Sequence, residues 1–372
     1  FMLITTLFFM WGVSYGLLDV LNKHFQETLH VTKAQSGLLQ GAYFGAYFLV
    51  AMPAGYFMSR HGYKAGILAG LALYAIGALL FVPAAMVNNF MMFLFALFVL
   101  ACGLGCLETA ANPYATVLGD AQGAERRLNL AQSFNGLGQF MGPMIGGTLF
   151  FSHASADEAQ STVKITYVVI ACVVIGIALL FKRTALPDIR EAEEAGSIHS
   201  GQTLLQHKHF VGGVIAQFFY VAAQVGVGAF FINYTTEHWH GVTNQSAAYM
   251  LSVGMVCFML GRFFSTWLMG RVSPALILAA YALINIVLCA VVMLGMGDVS
   301  VIALVAIFFF MSTMFPTIFA MGVKNLGPAT KQASSFMIMA IVGGAIMPWF
   351  MGRISDNSST ALAYGLPLVC FA

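Results

Sequence analysis

The chain has 372 residues, of which 60% are hydrophobic and only 8% charged, and its formal net charge is +2. Such a balance excludes a soluble globular domain and, with the basic residues scattered among loops, a nucleic-acid partner. The six cysteines all lie within apolar runs and lack the spacing of a metal site or a disulfide framework, so they read as small packing residues.

A membrane-spanning helix takes about 20 residues, and the apolar segments divide the chain at that scale. They run over 1–22, 36–58, 64–87, 90–118, 128–151 and 163–182. After a polar stretch from Arg183 to Lys208 they resume over 209–234, 245–270, 274–296, 298–325, 331–353 and 358–372. The expected fold is all-α and integral to the membrane: twelve transmembrane helices in two six-helix halves, 1–182 and 209–372, with a central loop over 183–208. Phe1 and Ala372 both stand inside apolar runs, so the chain reads as trimmed at both ends. The halves echo one another. Val31-Thr32-Lys33-Ala34-Gln35-Ser36 returns as Val242-Thr243-Asn244-Gln245-Ser246, and Arg60 returns as Arg271, the mark of a parallel internal repeat. Basic residues crowd one set of loops, from Arg60 and Lys64 through Arg126, Arg127, Lys182, Arg183 and Arg271 to Lys324 and Lys331. The loop-charge rule then places both termini in the cytoplasm.

Of the fourteen acids, only Asp19 and Glu108 fall well inside predicted spans, and no histidine does. A carboxylate at that depth is costly and by default faces a bundle interior or a watery cavity. Without a cation beside it, desolvation favours the protonated form, which suits a proton-coupled carrier; a carboxylate is equally a ligand for sodium. Asp19 and Glu108 are therefore the candidate coupling-cation residues, with Asp19 the metal ligand if the ion is sodium. Asn112-Pro113 follows Glu108 by one turn, where proline frees a helix carbonyl as a further polar group.

Uncharged polar residues lie near the acids at helical spacing. Gln40, Tyr43 and Tyr47 share a face of the second span, Gln132 and Asn135 a face of the fifth, and Gln217, Tyr220 and Gln224 a face of the seventh. Amides offer a donor and an acceptor together, and aromatic faces stack on C–H surfaces, which is what a neutral polyhydroxylated ligand calls for. The plain alternative is interhelical hydrogen bonding. For the set, including Asn112, a sugar-like site is expected. The glycine run Gly136-x-Gly138-x-x-x-Gly142-Pro143-x-x-Gly146-Gly147 reads as close helix packing.

Several motifs carry a resemblance. Gly55-Tyr56-Phe57-Met58-Ser59-Arg60-His61-Gly62-Tyr63-Lys64 resembles the loop between the second and third helices of the major facilitator superfamily, with Ser59 at the position of the usual acid. Cys102 to Leu118, followed by Arg127-Leu128-Asn129-Leu130-Ala131-Gln132-Ser133-Phe134-Asn135, resembles the fucose–galactose–glucose:cation symporter family within it. Gly261-Arg262-Phe263, Thr266-Trp267-Leu268, Pro316-Thr317-Ile318-Phe319 and Lys324-Asn325-Leu326-Gly327 extend that similarity through the second half. The resemblance implies that Asp19 and Glu108 are the family's first-helix aspartate and fourth-helix glutamate, the pair implicated in substrate binding and coupling. It also places Asn135 and Gln132 at the central cavity. Ser14-Tyr15-Gly16-Leu17-Leu18 replaces the asparagine-rich stretch of fucose carriers, and Phe315 replaces a tyrosine, so fucose itself is not assumed.

The expected function is import of a neutral monosaccharide with a proton or sodium by alternating access. The expected partners are the sugar and membrane lipid, with no cofactor, no catalytic reaction, a monomeric state and a bacterial inner-membrane location. A drug or sugar efflux antiporter of the same fold, and a non-transporting sugar sensor, are the alternatives. The many amides count against a site for cationic lipophiles.

Overall fold

The computed structural model describes residues 1–117, 124–151, 156–184, 204–324, 326 and 330–372. Most of the expected central loop, and the side chains of Asn112, Pro113, Arg126, Arg127 and Lys331, lie outside the described residues.

The first half consists of α1 (Met2–Thr28), a short α2 (Lys33–Ser36), α3 (Leu38–Val87), α4 (Phe90–Val117), α5 (Ala124–Phe150) and α6 (Ala156–Arg183). In α3 two predicted spans merge across a bend at Gly62, whose φ of 82° is open to glycine without strain. The second half consists of α7 (Lys208–Ala229), α8 (Phe231–His238), α9 (Asn244–Leu268), α10 (Pro274–Leu294), α11 (Asp298–Met311), α12 (Met314–Gly322), α13 (Thr330–Met339), α14 (Gly343–Asn357), α15 (Thr360–Ala363) and α16 (Gly365–Phe371). Nine helices among the described residues are long and apolar enough to cross a membrane, and Thr360–Phe371 adds a shorter apolar stretch. With the first part of α3 and with α5 they fit the expected twelve-helix arrangement.

Four predicted spans of the second half are broken, at Phe230, at Ser312–Thr313, at the 3₁₀ turn Ala340–Val342 and at Tyr364. Apolar composition runs straight through each break, so hydropathy alone does not show it. Backbone groups freed within a membrane need partners, and side chains supply them at the second break. The Tyr220 hydroxyl donates to the Met311 carbonyl at 2.6 Å, and Arg262 Nε donates to the Ser312 carbonyl at 3.4 Å.

The first half is held by a close crossing of α1 and α5. A Cβ on Gly12 would come within 2.1 Å of the Asn135 carbonyl oxygen, and one on Gly142 within 2.6 Å of Gly16 Cα. The glycine run of α5 thus brings two backbones together and fixes the depth of α1, the helix that carries Asp19. Between the halves, α5 packs on α9, α1 on α7, and α3 on α14.

At one end, that of residues 29–37, hydrogen bonds join the halves. Asp356 accepts from the backbone N–H of Lys33 at 3.0 Å and of Ala34 at 2.9 Å, so it caps α2 from the other half. Lys33 Nζ reaches Glu237 at 2.6 Å and Thr360 at 2.8 Å, Asn244 donates to Glu27 at 2.6 Å, and Thr148 meets Tyr249 at 2.7 Å. At the opposite end, beside residues 184–204, bonds close each half on itself. Lys64 donates to the carbonyl of Thr184 at 2.8 Å, and a ring nitrogen of His209 pairs with the Lys324 carbonyl at 2.9 Å.

Candidate functional site

The site grows from α1. Asp19 is 3% exposed, and its Oδ1 accepts a hydrogen bond from Gln40 Nε2 of α3 at 3.4 Å. Its Oδ2 is buried with no hydrogen-bond partner among the described residues. That oxygen points across the junction of the halves at Gly228 of α7, where a Cβ would stand 2.7 Å from it. Only glycine leaves the carboxylate its place. Tyr15, Gln139 of α5 and Gln224 of α7 join Asp19 as the polar lining of a cavity of about 10 Å³; Met255, Phe258, Phe308 and Met311 supply the apolar wall. Such a space suits one water molecule or a bare cation. It is far below the several hundred Å³ of a small-molecule pocket.

Glu108 sits elsewhere. It is half-buried on α4, and its charge bears on Tyr43 and Tyr47 of α3. Gly105, one turn earlier, lets α4 approach the Tyr47 backbone. The two tyrosine hydroxyls lie 3.4 Å apart, with their rings stacked at 5.2 Å. Asp19 thus stands where the halves meet, and Glu108 lies beside the α3 tyrosines, of which Tyr43 meets Tyr15 at 6.3 Å between ring centres.

The other predicted residues divide in the same way. Gln224 lines the Asp19 cavity. Gln40 is fully buried, donating to Asp19 and accepting from Asn22 Nδ2 at 3.2 Å. Asn135 ties α5 to α1, donating to the Phe8 carbonyl at 3.2 Å and accepting from Gln139 at 2.7 Å. Tyr220 is spent on the broken α11, as described. Gln217 is fully buried, and both amide atoms lack a partner among the described residues. Gln132 is half-buried on α5, one turn from Asn135. The Asn112 side chain lies outside the described residues.

Tyr15 and Gln139 escaped the sequence reading. The signal for Gln139 was present, since it continues the Gln132/Asn135 face by one further turn. The expectation that no histidine lies in a span is corrected: α1 runs past residue 22 to Thr28, and His24 is 1% exposed, packed against Phe25 and Phe150. The added turns hold because Asn22 and Gln26 find amide partners on other helices, which a hydropathy boundary cannot register.

Chemically, Asp19 has one oxygen held by an amide and one bare in a cation-sized space. A carboxyl in that setting can bind a proton or a small cation.

The Major Facilitator Superfamily model matches residues 2–348. The L-fucose-proton symporter of Escherichia coli is 41% identical over 100% of this chain and 90% of its own length. A glucose/galactose transporter of Brucella abortus is 38% identical over 99% of this chain and 90% of its own length. Among solved structures, FucP in its outward conformation is 41% identical with a TM-score of 0.73, covering 99% of this chain and 95% of that one. The chain belongs to the Major Facilitator Superfamily and, within it, to the fucose–galactose–glucose:cation symporter family.

Proposed function

We propose that this protein is a secondary active importer that moves a neutral hexose in symport with a proton. The observation that carries the reading is the bare Oδ2 of Asp19, buried in a membrane-spanning helix and facing the other half across Gly228. An acid so placed changes its surroundings whenever the halves move, which is what couples an ion to alternating access. Relatives named for fucose–proton symport and for glucose/galactose transport support both the sugar class and the ion.

In this reading the two rigid units are 1–182 and 209–372, with 183–208 as the tether, and the protein works as a monomer in a bacterial inner membrane with cytoplasmic termini. No catalytic reaction is assigned to it. The end bearing residues 29–37 is then external, and its bonds close the outer gate. A TM-score of 0.73 to a relative 41% identical and held outward supports two similar halves differently disposed. The sugar binds when the cavity widens, against Gln132, Asn135, Gln139, Gln217 and Gln224, with Glu108 and Tyr43 on the first-half wall. Gln40 and Tyr220 face the same region from their internal bonds.

Uptake of labelled glucose, galactose and fucose into proteoliposomes, under a proton or a sodium gradient imposed separately, tests the reading. Proton-driven accumulation of one of these sugars is expected. Accumulation driven by sodium alone would overturn the ion, and none under either gradient would overturn the symport.

A further inference from the structure

An unbroken line of amides runs from Asp19 to the joint between the halves. Gln40 Nε2 donates to Asp19 Oδ1 at 3.4 Å, Asn22 Nδ2 donates to Gln40 Oε1 at 3.2 Å, and Gln26 Nε2 donates to Asn22 Oδ1 at 2.8 Å. Asn233 of α8, in the other half, donates through Nδ2 to Gln26 Oε1 at 2.6 Å. Gln26 also donates to Ser36 Oγ at 2.8 Å. Gln40, Asn22 and Asn233 are each 0% exposed. Every link in the line donates toward Asp19.

We infer that Gln40, Asn22, Gln26 and Asn233 are positioning residues that tie the charge state of Asp19 to the closure of the halves at the Gln26–Asn233 joint. The inference rests on the proposed role of Asp19 in holding the proton. A carboxylate is the best acceptor for the end of such a line, because hydrogen bonds to an ionised group are the stronger kind. Donors aligned in series also reinforce one another. A charged Asp19 therefore holds Gln40 and, through Asn22 and Gln26, holds the bond that Asn233 donates to Gln26. Protonation weakens the last acceptor and with it the joint. Closure at this end accordingly favours release of the proton, as an importer needs after its load has left for the other side.

Other titratable groups near the line do not substitute for Asp19. Tyr15 on its own helix and Tyr364 from the α15–α16 junction lie within its electrostatic reach, and phenols with an ordinary pKa of about 10 are neutral where the carboxyl works. Around the joint, Lys23 pairs with Glu27 at 3.5 Å and Lys33 with Glu237 at 2.6 Å. His24 packs among Phe25, Phe150 and Phe151, and His238 stacks on Tyr234.

The test is the pH profile of sugar exchange and of proton-driven uptake in proteoliposomes, for wild type, Gln40→Leu, Asn233→Ala, Asp19→Asn and Tyr249→Phe. Removing an amide that donates to the charged form moves the half-maximal point to higher pH. The shift expected for Gln40→Leu is about one unit, the effect of one hydrogen bond to a charge. Asn233→Ala should shift the profile the same way by a smaller amount, although residue 233 does not touch Asp19. Tyr249→Phe removes another bond between the halves, at the Thr148 hydroxyl and outside the line, and should leave the midpoint in place. An Asn233→Ala profile that falls in height with an unmoved midpoint overturns the relay, and so does an equal shift from Tyr249→Phe. Asp19→Asn should flatten the profile. If it stays pH-dependent and still accumulates sugar, the coupling role of Asp19 fails and the relay with it; a flat Asp19→Asn profile with no Asn233→Ala shift sinks the relay alone.

Discussion

The two acids of the membrane interior differ in their neighbours. Asp19 stands at the seam of the halves, with Gly228 of the second half against one oxygen and an amide of the first half on the other. Glu108 of the first half has the tyrosines of α3 as its neighbours. A group at a seam feels the relative motion of two bodies, whereas a group inside one body travels with it. On the proposed reading the acid at the boundary between moving parts is the one expected to couple.

The sharpest break in that contrast comes from neutralising each acid. Asp19→Asn is expected to abolish accumulation against a gradient while sparing sugar exchange, because the variant carries a permanently neutral seam. Glu108→Gln is expected to weaken both activities together, with half-saturation rising about tenfold for the loss of one hydrogen bond to a charge. The readout is the ratio of accumulation to exchange, measured on the same liposomes. If Glu108→Gln kept full gradient-driven accumulation, it would have no part in binding or coupling. If Asp19→Asn lowered both activities equally, the seam would carry no special meaning.

A smaller effect tests the seam from the other side. At Gly228 a methyl group would stand 2.7 Å from the Asp19 carboxylate, whereas at Gly45 nothing lies within 4 Å. Overpacking of this kind costs about 1–3 kcal/mol. Gly228→Ala should therefore lower proton-driven accumulation several-fold and move its pH midpoint. Gly45→Ala should change neither. Equal behaviour of the two variants would remove the steric argument.

Much of this arrangement can be read without coordinates, and the rest fails for identifiable reasons. Twelve apolar segments and the two intramembrane acids stand out because depth in a membrane is written into composition. The ends and breaks of helices are not so written. α1 continues through Asn22, His24 and Gln26 because partners on α2, α3 and α8 satisfy the amides, and α11 stops at Met311 because Tyr220 takes the freed carbonyl. Polar residues can be counted along a span, but their pairing is a property of three helices at once. For that reason Gln40 and Gln224 were visible as polar positions, whereas the wiring of one to Asp19 and the cavity shared by the other were not.

The mildest prediction concerns the closed end, where two kinds of contact cross between the halves. The Lys33–Glu237 pair is partly exposed, with side chains 24% and 34% accessible, and exposed ion pairs contribute only about 0–1 kcal/mol. Asp356 instead accepts two backbone N–H groups at the start of α2, and loss of an N-terminal cap of this sort costs about 1 kcal/mol. Asp356→Ala should therefore loosen the closed end more than Lys33→Ala, despite the shorter contact made by Lys33. Spin labels at the exposed Met86 and Leu362 would report it as a longer or broader distance between the halves. A Lys33→Ala distribution broader than that of Asp356→Ala would mean that charge, rather than the cap on α2, holds the two halves shut.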